Sequence, residues 1–342
     1  MYASWPELIP KWTAADYSTI ALQTAFDSVW QQGCHGYFQN QQGKTLGFSY
    51  WQPAHAKAAI LLVPGRIETV HKYLELIADA TAAGYQVYAL DHQGQGRSER
   101  LSQKRQLGDV VQFQHYIDDL HQFIQTIVQP QLQLPCLAIS HSMGSAILTR
   151  YLQQSPHHVL SAAIFSSPMW GIQTSPLSPA AALILAQLMQ WVERNCSRDG
   201  WFIPGQSAYR AIPFAENTLT GCEARYRWFR QLYQDNPEYQ LGGISWRWLW
   251  QALRACEQIA AGPALDLPCL LLQAQADQIV SNSQQSLIWQ QWQAAPNAHP
   301  ANQHVLLADA RHELLAETDA IRQRWYQQLN RFTASLPYQA AI

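Results

Sequence analysis

The sequence is poor in charged residues, and the charges that it has nearly cancel. Only 13% of its 342 residues are Asp, Glu, Lys or Arg, and the formal net charge at pH 7 is -2. Proteins that hold nucleic acid through phosphate contacts carry a basic surface, so the charge argues against nucleic acid as a partner. Hydrophobic residues make up 48% of the chain, which excludes a disordered protein and favours a large buried core.

Patterns for metal ions and phosphate-bearing cofactors are also missing. The six cysteines include no C-x-x-C pair, and no Cys/His group has the spacing of a zinc site. Neither a phosphate-binding loop nor a dinucleotide fingerprint is present. We therefore expect reduced cysteines, with Cys136 and Cys269 buried in apolar runs, and neither a metal nor an organic cofactor.

No apolar run in the chain is long enough to span a bilayer. The most apolar segment, residues 180–192, is short and contains Gln187 and Gln190. The first residues have neither the basic start nor the apolar stretch of a signal peptide. We expect a cytoplasmic protein. The sequence leaves the oligomeric state open.

What the chain does have is a regular alternation of short apolar runs and helical patterns. Unbroken apolar runs of four to six residues are typical of strands that are buried on both faces. Such a run occurs at residues 58–63, and further strand-like, mostly apolar segments occur at residues 85–90, 136–139, 162–166, 268–273 and 304–307. Strands that alternate with helices predict an α/β fold with a mostly parallel, doubly wound sheet.

The alternation is interrupted once. Residues 169–262 contain helical patterns rich in Trp, Tyr and Arg but no convincing buried strand. We therefore predict a sheet-containing core made of residues 1–168 and 263–342, with residues 169–262 inserted into it as a helical cap. The first 40 residues show no clear period, and we expect helix and loop there.

One stretch of the predicted core has the layout of a nucleophile elbow. An apolar run ends near Ile139, Ser142 follows in a small polar cluster, and a helical pattern begins after it. The usual pattern is G-x-S-x-G, in which a tight strand-to-helix turn exposes the serine oxygen. Here Ser140 replaces the first glycine, and Gly144 supplies the second.

A serine nucleophile needs a base and an acid, and both follow late strands. Asp277 comes directly after the run at 268–273, and His312 follows the last strand. Since active groups gather at the carboxyl ends of parallel strands, we expect Ser142, His312 and Asp277 to meet. This order along the chain is that of α/β hydrolases. Asp309 is an alternative acid.

The reaction of a serine with an ester also needs N–H donors for the oxyanion. We expect one from Met143, directly after the nucleophile, and one from Arg66 in the loop after an early strand. An ordinary turn is the alternative for that loop. We expect the loop at residues 91–98 to be structural, with Arg97 paired to a carboxylate such as Glu68.

Several motifs together resemble a known family. They are Val63 to Glu68 with Lys72-Tyr73, Asp91 to Ser98, Ser140 to Gly144, Arg311 to Leu315, and, in the predicted cap, Asn217 to Thr220, Arg225-Tyr226 and Gly242-Gly243. These segments are similar to those of bacterial lysophospholipases related to monoglyceride lipases, within the serine aminopeptidase S33-type α/β hydrolases. The resemblance covers residues 35–335. Ser140 and Gln93 depart from the family pattern.

The resemblance implies an α/β-hydrolase fold and a serine carboxylester hydrolase that acts on single-chain lipids. It implies that Ser142, Asp277 and His312 form the catalytic triad and that the substrate is a lysophospholipid. A monoglyceride lipase or general esterase is the alternative. Acyl transfer, peptide hydrolysis and non-catalytic lipid binding are less favoured.

The predicted cap supplies candidate substrate contacts. We expect Trp170, Leu183, Leu188 and Arg225 to contact the lipid, and the apolar face of residues 176–192 to line an acyl tunnel, to touch a membrane surface or to pack on neighbouring helices. Arginine suits phosphate recognition. Six arginines of the predicted cap are candidates for a contact with a phosphate group, namely Arg198, Arg210, Arg225, Arg227, Arg230 and Arg247. We expect one or two of them to reach the pocket.

Overall fold

A computed structural model describes residues 4–338 of the chain, and its centre is one eight-stranded sheet. The strands lie in the order β1-β2-β4-β3-β5-β6-β7-β8. Their bounds are Cys34–Gln39 (β1), Thr45–Trp51 (β2), Ala58–Val63 (β3), Tyr85–Leu90 (β4), Cys136–His141 (β5), Ala162–Ser166 (β6), Cys269–Ala274 (β7) and Gln303–Leu307 (β8). β2 pairs antiparallel with both β1 and β4, and all other pairings are parallel.

Helices cover both faces of this sheet. Their bounds are Ile20–Gln32 (α1), Leu74–Ala83 (α2), Gln114–Phe123 (α3), Met143–Gln154 (α4), Pro179–Cys196 (α5), Glu223–Asp235 (α6), Trp246–Ala261 (α7), Asn282–Gln293 (α8) and Asp319–Ala334 (α9). None of these helices, nor any other helix within residues 4–338, combines the length and apolarity that a bilayer crossing requires.

All the predicted runs form strands, and all but the last of these strands are largely buried; β8 alternates between exposed and half-buried residues before Leu307. All residues of β3 are buried, and they alternate between two cores on opposite faces of the sheet. Leu61 packs on the side of α3 and α4, whereas Ile60 and Leu62 pack on the side of α2 and α9. Side chains of a strand point to alternate faces, so a strand covered on both sides must be apolar at every position. The prediction of a mostly parallel, doubly wound sheet is confirmed.

One element differs from the sequence prediction. β1 lies in a region expected to be helix and loop, but Cys34–Gln39 forms an edge strand. Its side chains are exposed or only partly buried, so its sequence contains no apolar run.

The segment between β6 and β7 carries α5, α6 and α7. In the described part of the chain, residues 169–262 contribute no strand to the sheet. α7 packs against α4 of the sheet-containing core, and α5 packs against α7 through a small apolar cluster that includes Ala186 and Leu253. We call residues 169–262 the inserted segment.

A buried ion network ties α6 to the core. The Arg225 guanidinium lies 3.0 Å from the Glu75 carboxylate on α2 and 2.8 Å from Asp319 at the start of α9. Arg322 on α9 lies 2.6 Å from the same Glu75. The network therefore joins three helices, and Arg225 is its contribution from the inserted segment.

We expect Arg225→Met to lower the free energy of unfolding by about 3 kcal/mol, because it leaves a buried carboxylate without one of its two cations. Urea unfolding followed by circular dichroism measures the change. The control is Arg227→Met on the same helix, whose pair with Glu223 is exposed. That variant should lose less than about 1 kcal/mol. Equal losses in the two variants would contradict a structural role for the buried network.

Candidate active site

Ser142 occupies a strained turn between β5 and α4. Its φ and ψ angles are 49° and -118°, a conformation that non-glycine residues rarely adopt. Two backbone hydrogen bonds hold it there. The Ser142 N–H donates to the carbonyl of Ser166 over 3.1 Å, and the Ser142 carbonyl accepts from the N–H of Met169 over 3.0 Å. The end of β6 thus fixes the turn.

The turn accepts only glycine at one of its two small positions. A Cβ atom on Gly144 would lie 2.2 Å from the carbonyl oxygen of Val63 and 2.3 Å from that of Pro64. Ser140, in contrast, fits with its hydroxyl 2.9 Å from that of Ser145 and 3.0 Å from the carbonyl oxygen of Ile164. The departure from G-x-S-x-G at residue 140 therefore leaves the elbow intact.

The structure brings together the three residues that the sequence singles out. His312 Nε2 lies 2.9 Å from the Ser142 hydroxyl, and His312 Nδ1 lies 2.7 Å from the Asp277 carboxylate. All three side chains are buried. Asp309, the alternative acid, is exposed and forms no hydrogen bond with His312. The arrangement is that of a nucleophile, a base and the acid that orients the base.

The Asp277 carboxylate is held in its charged form. Burial raises its pKa, but the hydrogen bond and charge of His312 and the backbone N–H groups of Val280 and Ile279 outweigh burial and lower it below the ordinary value. These N–H groups donate to one carboxylate oxygen over 3.1 and 2.8 Å, and the other oxygen faces His312. The ionised carboxylate fixes the orientation of the imidazole ring.

Two backbone N–H groups are available beside Ser142. Arg66 and Met143 both line the same cavity as Ser142 and His312. Among residues 4–338, neither backbone N–H has a hydrogen-bond acceptor. These are the two groups that were predicted from the sequence to stabilise the oxyanion.

The loop that carries Arg66 is braced on both sides of that residue. The His92 ring lies 3.0 Å from the Pro64 carbonyl, and the Gln95 amide donates to the carbonyls of Gly65 and Glu68. The Tyr233 hydroxyl donates to the Ile67 carbonyl over 2.8 Å. The neighbouring carbonyls are therefore fixed in place, and donors fixed in advance are what stabilisation of an oxyanion requires.

A buried charge cluster beneath the site was not predicted from the sequence. Lys72 Nζ lies 2.8 Å from Glu68 and 2.7 Å from Glu313. His141 Nδ1 lies 3.1 Å from Glu68, and His141 Nε2 lies 3.2 Å from the backbone carbonyl oxygen of His312. Because both ring nitrogens face acceptors, the protonated ring is favoured. Burial lowers the pKa of His141, but the charge of Glu68 outweighs it and raises the pKa above its ordinary value.

The structure corrects the suggested partner of Arg97. Arg97 pairs with a carboxylate as expected, but that carboxylate is Asp91, 3.7 Å from the Arg97 Nε, and not Glu68. The observed partner of Glu68 is Lys72. The one signal for this pair in the sequence is their four-residue spacing, which would place both side chains on one side of a helical turn.

The site opens into a cavity of about 440 Å³. One wall is formed by Ser142, His312 and the loop at Arg66, and the inserted segment supplies much of the rest. The residues from the inserted segment are Met169, Ile172, residues 205–210, Ile212, Leu219, Phe229, Arg230, residues 241–244 and Trp248. The lining is mainly apolar with a few polar groups, as in ligand pockets generally.

The four predicted lipid contacts do not line this cavity. Trp170 is buried between Phe165 and Trp292. Leu183 packs in the cluster between α5 and α7, Leu188 is 57% exposed, and Arg225 is held by Glu75. The prediction failed because position in the sequence does not show which side of a helix faces the cavity.

Two of the six candidate arginines reach the cavity, namely Arg210 and Arg230. Arg225, Arg227 and Arg247 are each paired with a carboxylate. Arg198 is exposed and does not line the cavity.

All six cysteines are free, and Cys136 and Cys269 are buried as predicted. Within residues 4–338, no three His, Cys, Asp or Glu side chains are grouped as ligands of a metal ion would be.

The sheet topology and the hydrogen-bonded Ser, His and Asp at its strand ends define an α/β hydrolase. Residues 54–319 match the serine aminopeptidase S33 family, and the chain belongs to that family. The resemblance found in the motifs is thereby confirmed.

Three relatives of known name are similar to the chain. Lysophospholipase L2 of Escherichia coli strain K12 is 35% identical over 86% of this chain and 85% of its own length. Probable lysophospholipase L2 of Haemophilus influenzae is 31% identical over 82% of this chain and 85% of its own. Monoglyceride lipase of Rattus norvegicus is 28% identical over 70% of this chain and 72% of its own length.

Solved structures agree in fold. A soluble variant of monoglyceride lipase from Saccharomyces cerevisiae superposes with a TM-score of 0.66 at 18% identity, covering 87% of this chain and 93% of that one. A carboxyl esterase from Bacillus coagulans superposes with a TM-score of 0.65 at 18% identity, covering 89% of this chain and 98% of that one. At this identity the similarity establishes the fold alone.

We expect Gly144→Ala to cost about 2–4 kcal/mol of stability and to abolish ester hydrolysis, because the added methyl group overlaps the backbone of the loop at Val63. Thermal unfolding and the hydrolysis of p-nitrophenyl butyrate measure the two effects. Gln154→Ala, at an exposed position of the same helix, is the control and should change neither. A Gly144→Ala variant with normal melting temperature and rate would contradict the close approach.

Proposed function

We propose that the chain is a lysophospholipase that hydrolyses the carboxylic ester of single-chain phospholipids, with Ser142, His312 and Asp277 as its catalytic triad. The observation that carries the proposal is the hydrogen-bonded array of these side chains, which opens into a largely apolar cavity. The 35% identity to a lysophospholipase over most of both chains supports the substrate class.

In the proposed reaction, His312 takes the proton of the Ser142 hydroxyl as the oxygen attacks the acyl carbonyl carbon. Asp277 stabilises the imidazolium that forms. The negative charge on the carbonyl oxygen is stabilised by the N–H groups of Arg66 and Met143.

The tetrahedral intermediate then collapses. The ester C–O bond breaks, and the leaving glycerophospho alcohol takes the proton from His312. A water molecule, deprotonated by His312, attacks the acyl-serine. The bond between the acyl carbon and the Ser142 oxygen then breaks, His312 returns the proton to that oxygen, and the fatty acid is released. These steps need no metal and no organic cofactor.

The inserted segment is proposed to act as the cap of this site. Its residues line the cavity opposite Ser142 and His312, so they would shield the acyl-enzyme from bulk water and shape the lipid pocket. Residues 1–168 and 263–342 are the corresponding hydrolase core.

A monoglyceride lipase is the second candidate function. Its support is the 28% identity to a monoglyceride lipase and the mainly apolar lining of the cavity, which suits an acyl chain with any headgroup. Acyl transfer to a second lipid would use the same intermediate.

We also propose that α5 contacts the surface of the inner membrane leaflet. Ile184, Leu188 and Trp191 follow one another at intervals of four and three residues, so they share one side of the helix, and all three are exposed. Such a face would insert among lipid headgroups near the substrate. The cytoplasmic location stays a prediction, and the oligomeric state stays open.

The proposed activity is tested on three esters: 1-oleoyl lysophosphatidylethanolamine, 1-oleoylglycerol and p-nitrophenyl butyrate. We expect the wild-type protein to hydrolyse the lysophospholipid, and Ser142→Ala to lose at least about 10³-fold in kcat on all three esters. Asp277→Asn should lose about 10³–10⁴-fold, because the imidazole is left in the wrong tautomer. Asp309→Asn is the matched control and should retain the wild-type rate. A reversed result for the two aspartates would move the acid to residue 309.

The membrane contact is tested by cosedimentation with vesicles of phosphatidylethanolamine and phosphatidylglycerol. We expect Leu188→Glu to weaken vesicle binding at least about fivefold, because a carboxylate would be placed among acyl chains. Ile20→Glu, an exposed apolar position outside the inserted segment, is the control. Equal binding of wild-type and Leu188→Glu protein would contradict the contact.

A further inference from the structure

Two polar groups in the wall of the cavity form no hydrogen bond of good geometry with the protein. They are the Nε atom of Arg230 on α6 and the hydroxyl of Tyr209, and both residues line the cavity that contains Ser142. Both atoms are buried, and neither meets the geometry of a hydrogen bond within residues 4–338. Burial lowers the pKa of Arg230, but the neighbouring Tyr226 and Tyr209 side chains outweigh burial and raise it, so the Tyr209 hydroxyl lies close to the guanidinium. Since nearly all buried polar atoms in proteins are hydrogen-bonded, two unpaired ones in one cavity wall point to a missing ligand.

Arg230 also differs from the other cations near the site. Lys72 is neutralised by Glu68 and Glu313, and Arg225 is neutralised by Glu75. Arg66 donates to the Gly242 carbonyl, and Arg210 is exposed. In the described part of the chain, Arg230 forms no ion pair with any carboxylate. Glu313 lines the same cavity but lies beyond ion-pair distance of Arg230 and is already paired with Lys72.

Aromatic rings hold the guanidinium of Arg230. Its Cζ atom lies 4.7 Å from the ring centre of Tyr226, 5.4 Å from that of Phe229 and 5.9 Å from that of Tyr209. Ring faces stabilise a cation but do not accept hydrogen bonds in the plane of the guanidinium. The rings thus restrain the group and leave its N–H donors for an anion.

The ring of Tyr209 is restrained as well. It packs against Tyr233 with 5.2 Å between ring centres, and its backbone N–H donates to the Gln106 side chain over 2.9 Å. Tyr233 in turn donates to the Ile67 carbonyl, next to Arg66. Tyr209 is therefore connected by direct contacts to the loop that carries the proposed oxyanion donor.

We propose that Arg230 and the Tyr209 hydroxyl form a phosphate subsite that binds the headgroup phosphodiester of the lipid whose ester Ser142 attacks. A phosphodiester carries one negative charge shared by two non-bridging oxygens, which match two parallel N–H groups of a guanidinium, and the tyrosine hydroxyl adds a third donor. The subsite would favour phosphate-bearing lipids over neutral monoglycerides. This inference rests on the proposed ester hydrolysis and specifies its substrate class.

The test compares two lipids with the same acyl chain, 1-oleoyl lysophosphatidylethanolamine and 1-oleoylglycerol. Arg230→Gln, Arg230→Lys and Tyr209→Phe are measured beside the control Arg227→Gln, which lies on the same helix, is exposed and does not line the cavity. For each protein, the ratio of kcat/KM on the phospholipid to kcat/KM on the monoglyceride is determined. Melting temperatures report folding.

We expect Arg230→Gln to lower this ratio at least about tenfold, mainly through KM, because it removes the charge-assisted hydrogen bonds. Tyr209→Phe should lower it about threefold, and Arg230→Lys should fall between the glutamine variant and the wild type. The control should keep the wild-type ratio. An unchanged ratio in Arg230→Gln, or equal losses on both lipids, would overturn the subsite.

A second measurement separates a lipid headgroup from free phosphate. Inorganic phosphate is added to the hydrolysis of p-nitrophenyl butyrate by wild-type and Arg230→Gln protein. Inhibition that depends on Arg230, together with an unchanged lipid ratio, would identify a site for free phosphate and overturn the headgroup assignment. Wild-type protein that cleaves only the monoglyceride would overturn both the lysophospholipase activity and the subsite. Wild-type protein that cleaves both lipids, with an unchanged ratio in Arg230→Gln, would overturn the subsite alone.

Discussion

The contact on which the site depends is the close approach of the α4 amino terminus to the end of β3. Gly144 lies so near the carbonyls of Val63 and Pro64 that no side chain fits between them. The same approach brings Ser142 and Met143, on one side, next to the loop that carries Arg66 on the other. Nucleophile and proposed oxyanion donors are thus positioned by one backbone contact, which explains why a side chain as small as methyl is excluded there.

The charge cluster at Glu68 extends this arrangement into the core. Glu68 begins the turn after the Arg66 loop, His141 precedes the nucleophile, and Glu313 follows His312. Lys72 and His141 join these three segments through buried ion pairs and a hydrogen bond to the His312 backbone. Buried charges are costly unless they are paired, and here the Lys72–Glu313 and His141–Glu68 pairs each connect two different segments. The cluster therefore disfavours any relative movement of the loops that carry the reacting groups.

The strands and the Ser-His-Asp residues could be predicted from the sequence because each of them follows from a local physical requirement. Full burial of β3, β5 and β7 demands apolar runs, and Ser142, Asp277 and His312 could be found because functional groups follow strand ends. Predictions from the sequence were wrong where a side-chain contact or a strand pairing depends on packing between segments that are distant in the chain. The orientation of Trp170 and Leu183, the partner of Arg97 and the pairing of edge strand β1 are set by neighbours remote in sequence. Arg230 was one of six similar candidates, and only the structure shows that it and Arg210 line the cavity whereas the other four do not.

The position of Arg225 gives the ion network at Glu75 an influence beyond stability. Arg225 and Arg230 lie five residues apart on α6, one fixed to the core and the other at the cavity wall. Because the helix is rigid over this distance, the position of Arg230 relative to the nucleophile depends on Glu75 and Asp319, which lie outside the cavity. If Arg230 binds the headgroup phosphate as proposed, substitutions at Glu75 or Asp319 would change the lipid preference without altering any residue that lines the pocket.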